Sequence, residues 1–108
     1  IAWIENKGNG NFGSIQVISN NASNAECVHA ADLNGDGDQD VLSASNGDNK
    51  IAWYENNGNG SFGTQQIISD EVESASSVYA IDLDGDGDQD VISASISSND
   101  KIGWYENI

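Results

Sequence analysis

The sequence predicts an all-β protein assembled from β-propeller blades, and three observations carry that prediction. Residues 1–50 laid over 51–100 agree at about 29 positions by direct count, and repetition at this period points to a propeller or another repeat array. Short runs rich in Val, Ile, Tyr and Trp, several of them alternating, are separated by clusters of Gly, Asn and Asp. That is the pattern of strands and tight turns. No segment carries the i, i+3, i+4, i+7 spacing of an amphipathic helix.

The elements follow from these runs. In the central copy the spacing predicts strands near 28–33, 41–45, 51–56 and 65–69. Four antiparallel strands in about fifty residues is the size of one blade. The "GNG" ahead of Phe12 and Phe62 ("KGNG" in the first copy, "NGNG" in the second) marks a tight turn in each of the first two copies. A third copy opens with "KIGWYENI", shifted by one residue because "NGDNK" has become "ISSNDK". Counted along the chain, the strands fall as two, four and three. Residues 1–27 read as the end of a first blade, 28–77 as a complete blade, and 78–108 as three strands of a further one.

About two blades do not close a ring, since propellers typically need about four to eight. Left alone, the outer blades would expose strand edges and apolar faces. Two completions are expected: a longer parent chain with further copies of the repeat, or a homo-oligomer of about three or four chains. The chain begins and ends on the same strand type, which favours the longer parent chain. The chain starts at Ile1 and contains no Met, so it reads as a processed, truncated or partly observed segment, and any targeting sequence would lie outside it.

Composition narrows the partners. The 108 residues carry 18 acidic and 3 basic side chains, a formal charge of -15. Three lysines cannot neutralise a phosphate backbone, so nucleic acid is excluded as a partner. Anionic membrane surfaces are disfavoured on the same ground, and no apolar run is long enough to insert in a bilayer. The single cysteine, Cys27, excludes an internal disulfide framework. Ser77 stands at its place one repeat later, so Cys27 reads as a small filler.

Half of the acidic residues lie in two loops, "DLNGDGDQD" from Asp32 and "DLDGDGDQD" from Asp82. In the second loop Asp82, Asp84, Asp86 and Asp90 hold positions 1, 3, 5 and 9, and Asp88 at position 7 offers its backbone carbonyl. Gly87 holds position 6, where a calcium loop turns sharply around its ion. The first loop matches through Asp32, Asn34, Asp36, Asp38 and Asp40, with Gly37 at the turn. An EF-hand would place a bidentate Glu at position 12 between two helices. Here that position is Ser43 or Ser93, and the flanks read as strand. The expectation is a calcium loop inside a β-hairpin, with about two Ca2+ per chain. Magnesium fits less well, because it demands stricter octahedral geometry. Two divalent ions would bring the net charge from -15 to about -11 and turn repulsion into coordination.

The order strand, D-x-D-x-D-G-x-x-D, strand, "WYENNGNGSFG" resembles the FG-GAP-like (VCBS-type) repeat. Such repeats form propellers in integrin α-subunits, some fungal lectins and many bacterial surface and secreted proteins. The resemblance covers essentially the whole chain and implies metal roles for Asp32, Asn34, Asp36, Asp38 and Asp40, and for Asp82, Asp84, Asp86, Asp88 and Asp90. Phe12-Gly13 and Phe62-Gly63 match the "FG" signature. No Gly-Ala-Pro follows and the chain has no proline, so the likeness is to the broad repeat class rather than to the integrin subtype.

Other residues have plainer readings. Trp3, Trp53 and Trp104 recur once per copy and read as packing between blades, with Tyr54 and Tyr105 on the opposite strand face as the better candidates for a ligand contact. His29, replaced by Tyr79 one repeat later, reads as a core or interface residue. Glu5, Glu55 and Glu106 end the Trp-containing strands and read as repeated structural positions. No nucleophile elbow, phosphate-binding loop or Ser/His/Asp set is present, so no catalysis is expected here. The leading functional expectation is a calcium-stabilised extracellular module for adhesion or for protein or glycan recognition. A lectin with carbohydrate sites between blades, and a non-binding scaffold attached to a secreted enzyme, stand as alternatives. Loops without the bidentate Glu suit millimolar extracellular calcium, which places the module in a secreted or cell-surface protein.

Overall fold

The computed structural model describes residues 1–98 and 100–108. The described residues form nine strands and no helix: β1 (Ala2–Gly8), β2 (Asn11–Val17), β3 (Ala25–Ala31), β4 (Asp40–Ser45), β5 (Lys50–Tyr54), β6 (Gln66–Ser69), β7 (Ala75–Ile81), β8 (Asp90–Ser95) and β9 (Ile102–Tyr105). They pair antiparallel in sequence order as three sheets, β1-β2, β3-β4-β5-β6 and β7-β8-β9. Meandering pairing of this kind is what short Gly- and Asn-rich connections permit.

The repeat in sequence is a repeat in register. Val28 faces Ser43 and His29 faces Leu42; one copy later Val78 faces Ser93 and Tyr79 faces Ile92. Even the irregularity recurs, with a register shift between Ala25 and Cys27 and another between Ala75 and Ser77. β3 stops at Ala31 and β5 at Tyr54, each two residues short of the length that β-propensity suggests. The reason is local: Asp32 enters the acidic loop, and beyond Tyr54 pairing survives only as the single bridge Asn56–Phe62.

The core lies where β7 packs on the four-stranded sheet, and gathers Leu42, Ala44, Ile51, Val78, Ala80 and Val91. Ile51, Ala52 and Tyr54 are all fully buried, so β5 is covered on both faces. That corrects the expectation for Tyr54: it has no surface left for a ligand. Its hydroxyl instead accepts a hydrogen bond from Gln65 Nε2 at 2.9 Å, the polar handle that a buried tyrosine needs. Trp53 packs half-buried against the core, and Trp3 meets Phe62 edge-on with ring centroids 6.5 Å apart.

Equivalent positions show what a neighbouring blade does. Ile51 is 0% exposed in the central sheet, whereas its counterpart Ile102 in the three-stranded sheet is 87% exposed. Trp104, the counterpart of Trp53, is half exposed as well. The sequence supplies the same apolar side chain in both places, and only one of them is covered.

Candidate metal centres

The two acidic loops join β3 to β4 and β7 to β8. Each is wound around its first aspartate. Asp32 Oδ1 accepts the amides of Gly35 (2.8 Å) and Asp36 (3.2 Å), and Oδ2 accepts that of Gly37 (3.0 Å). Asp82 repeats the pattern with Gly85 at 2.7 Å and Gly87 at 3.0 Å. Gly37 and Gly87 sit at φ of +93° and +102°, a region that only glycine enters without strain. The sharp turn expected at loop position 6 is therefore present in both copies.

The next side chains step along the loop. Asn34 Oδ1 accepts from Asp36 N at 3.1 Å and Asp36 Oδ1 from Asp38 N at 2.8 Å. In the second loop Asp84 accepts from Asp86 N and Asp86 from Asp88 N, at 3.1 and 2.9 Å. Asp82, Asp84 and Asp86 each present a carboxylate oxygen within 4.8 Å of the others. A donor set made only of hard oxygens, held this close without His or Cys, fits calcium. In the first loop Asn34 stands at the position of Asp84, and its amide oxygen accepts from Asp36 N as the Asp84 carboxylate does from Asp86 N. Asp38 turns its carboxylate towards the 57–61 turn: a Cβ added at Gly58 would lie 2.9 Å from Asp38 Oδ2.

The electrostatics of the second loop show the strain that a cation would relieve. The amide of Asp86 favours the charged form of Asp84, but burial and the carboxylates of Asp86, Asp90 and Asp82 outweigh it. Its carboxyl is pushed above the usual aspartate value of 3.8. Asp90 moves the other way. The backbone N–H of Asn107, followed by those of Leu33's counterpart Leu83 and of Asp84, holds it below that value against the effect of burial.

Asp40 and Asp90, at loop position 9, are fully buried and belong to the scaffold as much as to the loop. Asp40 Oδ2 accepts from Leu33 N at 3.0 Å and Oδ1 from Asn56 N at 2.8 Å. Asp90 does the same with Leu83 N at 3.1 Å and Asn107 N at 2.8 Å. Each carboxylate thereby ties its loop to the end of the third strand of its own sheet. Asn56 and Asn107 were not singled out by sequence reasoning. The signal was there, because "EN" closes the Trp-containing strand in every copy (Asn6, Asn56, Asn107).

The remaining candidates are structural in their surroundings. His29 packs on Tyr79 with ring centroids 4.4 Å apart and ring planes tilted by 43°, between β3 and β7, the first strands of their sheets. Cys27 sits half-buried with its Sγ 3.7 Å from Val78 O. Glu55 Oε1 accepts from Asn34 Nδ2 at 3.3 Å, which helps to orient that amide. Tyr105 and Trp53 line a recess of about 240 Å³ between the second and third sheets, beside Leu33, Ile68, Glu106 and Asn107.

Antiparallel sheets of matching register, two of them with an acidic hairpin loop between their first two strands, define the class of β-propeller repeats. The chain belongs to the FG-GAP-like repeat family, whose pattern matches residues 1–43 and 32–93. No curated protein and no solved structure matches the chain.

Proposed function

We propose that this chain is a calcium-stabilised recognition module, part of a β-propeller displayed outside the cell. The observation that carries the reading is the convergence of the Asp82, Asp84 and Asp86 carboxylates within 4.8 Å, in a loop that a second copy reproduces at Asp32, Asn34 and Asp36. Calcium would be held by these residues together with the position-7 carbonyls of Asp38 and Asp88 and the buried carboxylates of Asp40 and Asp90. Its role is structural: an ion that binds only the folded loop stabilises the fold by mass action. Family membership supports further repeats as the neighbours that cover the exposed faces around Ile102 and Trp104. A homo-oligomer is the second way to cover them. No described helix is long and apolar enough to cross a membrane. The reading assigns binding rather than catalysis to this segment.

A melting curve tests the structural part. Calcium should raise the melting temperature and EDTA should lower it; a folded sample indifferent to both would sink the assignment. Recognition is tested by a glycan array and a protein pull-down with the longest available chain. The lectin reading has one specific observation behind it, the recess between sheets with Trp53 and Tyr105 as ring-stacking walls and Glu106 and Asn107 as polar groups. Sugar binding that fails when Trp53 is replaced by Ala would favour it. Protein capture with a silent array would favour adhesion, and silence in both would favour the scaffold.

A further inference from the structure

Asn107 touches both acidic loops. Its Nδ2 donates to Leu33 O at 2.8 Å, the position-2 carbonyl of the first loop, and to Gln89 O at 3.1 Å, position 8 of the second. Its backbone N–H donates to Asp90 Oδ1 at 2.8 Å. A primary amide has two N–H donors, and here each goes to a different loop. The residue is half-buried at the junction of the second and third sheets, and its two side-chain bonds are partly buried as well.

Asn56 provides an internal comparison. It makes the same bonds to its own loop, Nδ2 to Gln39 O at 3.1 Å and N–H to Asp40 Oδ1 at 2.8 Å. Neither of these bonds reaches the second loop. The difference between the two asparagines is the contact with a preceding loop, 74 residues away in sequence.

We infer that Asn107 couples the two loops, so that calcium in one raises the affinity of the other. This rests on the calcium reading above and deepens it. Wrapping an ion fixes the backbone of its loop. In the second loop that fixes Gln89 O and the Asp90 carboxylate, and so fixes the Asn107 amide. An amide already in place presents its other N–H to Leu33 O, and the first loop then loses less freedom when it closes. The sign of the effect is diagnostic. Two bound cations acting only through their charges repel, which gives weaker binding at the second site, whereas the shared amide gives tighter binding. Coupling of this kind typically amounts to about fivefold or more in affinity, and it is reciprocal.

The test is a calcium titration by calorimetry on the 108-residue chain in six forms: native, Asn107→Ala and Asn56→Ala, each with and without Asp86→Ala. Asp86→Ala disables the second loop at an exposed side chain. In the native background it should weaken calcium binding at the first loop by about fivefold or more. In the Asn107→Ala background it should leave that affinity unchanged. Asn56→Ala should weaken the first loop yet preserve its response to Asp86→Ala, a distinction that a merely structural role would not produce. The native and Asp86→Ala arms decide whether the loops are coupled even if Asn107→Ala fails to fold, and Asn107→Asp, which keeps the size of the side chain but removes both N–H donors, then decides whether Asn107 carries the coupling. An unchanged first-loop affinity on Asp86→Ala overturns the inference, and so does a response that persists without Asn107. Two independent calcium sites would overturn the coupling alone; no binding at either loop would overturn the calcium reading with it.

Discussion

Replacing Asp40 separates what the loop does for the fold from what it does for a metal. The Asp40 carboxylate is fully buried and accepts two backbone amides, Leu33 N at 3.0 Å and Asn56 N at 2.8 Å. Asp40→Ala removes both acceptors at once. A buried amide left without a partner costs about 1–3 kcal/mol. Water entering the space left by the side chain recovers part of this, so the expected loss is about 2–4 kcal/mol, large against the ~5–15 kcal/mol that holds a domain together. Asp40→Asn keeps one acceptor oxygen and should cost about half as much. The comparison is Asp36→Ala, which removes an exposed carboxylate whose backbone partner, Asp38 N, lies in water's reach. In EDTA that change should stay within about 0.5 kcal/mol. In calcium Asp36→Ala also forfeits the metal's contribution, about 2.7 kcal/mol at a hundredfold excess over the dissociation constant. Asp40→Ala removes a proposed ligand as well and forfeits it on top of its scaffold cost, so the order of the two is kept. Urea unfolding followed by tryptophan fluorescence, in EDTA and in calcium, measures all three variants. If Asp40→Ala were as mild as Asp36→Ala in EDTA, the scaffold role assigned to position 9 would be wrong.

Acid should act on the second loop through Asp84, whose carboxyl is pushed above 3.8. Because the folded loop binds that proton more tightly than the unfolded chain does, Asp84 costs the calcium-free fold stability as pH rises from the unfolded value through the raised one. Asp84→Asn should therefore stabilise the chain in EDTA at neutral pH, and a destabilised variant would contradict the repulsion argument. Calcium needs the ionised form, so its affinity at this loop should fall on acidification sooner than an ordinary aspartate would dictate. Asp90, held below 3.8, contributes stability above its unfolded value that is lost only as pH falls through its lower folded one. Ile51→Ala should cost about 2–5 kcal/mol, while Ile102→Ala, at a position 87% exposed, should stay within about 0.5 kcal/mol in a monomeric sample. A large penalty at Ile102 would show that this face is covered in solution. Gly87→Ala meets no atom within 4 Å but must hold φ at +102°, so its cost of about 1–3 kcal/mol would be purely conformational and should appear in unfolding curves with and without calcium.

The β class and the acidic loops were legible because both are local. Alternation in "SVYAIDL" announces β7, and a glycine at loop position 6 announces the turn that Gly37 and Gly87 make. What stayed hidden depends on partners distant in sequence. Nothing in "DQDV" says that Asp40 will be buried and will accept the amide of Asn56, 16 residues on. The alternation of "IAWYEN" separates two faces correctly but cannot show that both will be covered, which is why Tyr54 read as a candidate for a ligand contact. The bond from Asn107 to Leu33 joins two repeats, and repeat periodicity reports only what happens within one.

The central claim is that the two acidic loops are calcium sites, and the most direct measurement is the stoichiometry of bound calcium by equilibrium dialysis. The native chain should retain about two ions, one per loop, as the hard-oxygen chemistry of the donors requires. Asp36→Ala and Asp86→Ala should each remove one, and the double variant both. A native, folded chain that retains none, or whose bound calcium survives the double substitution, would contradict the account.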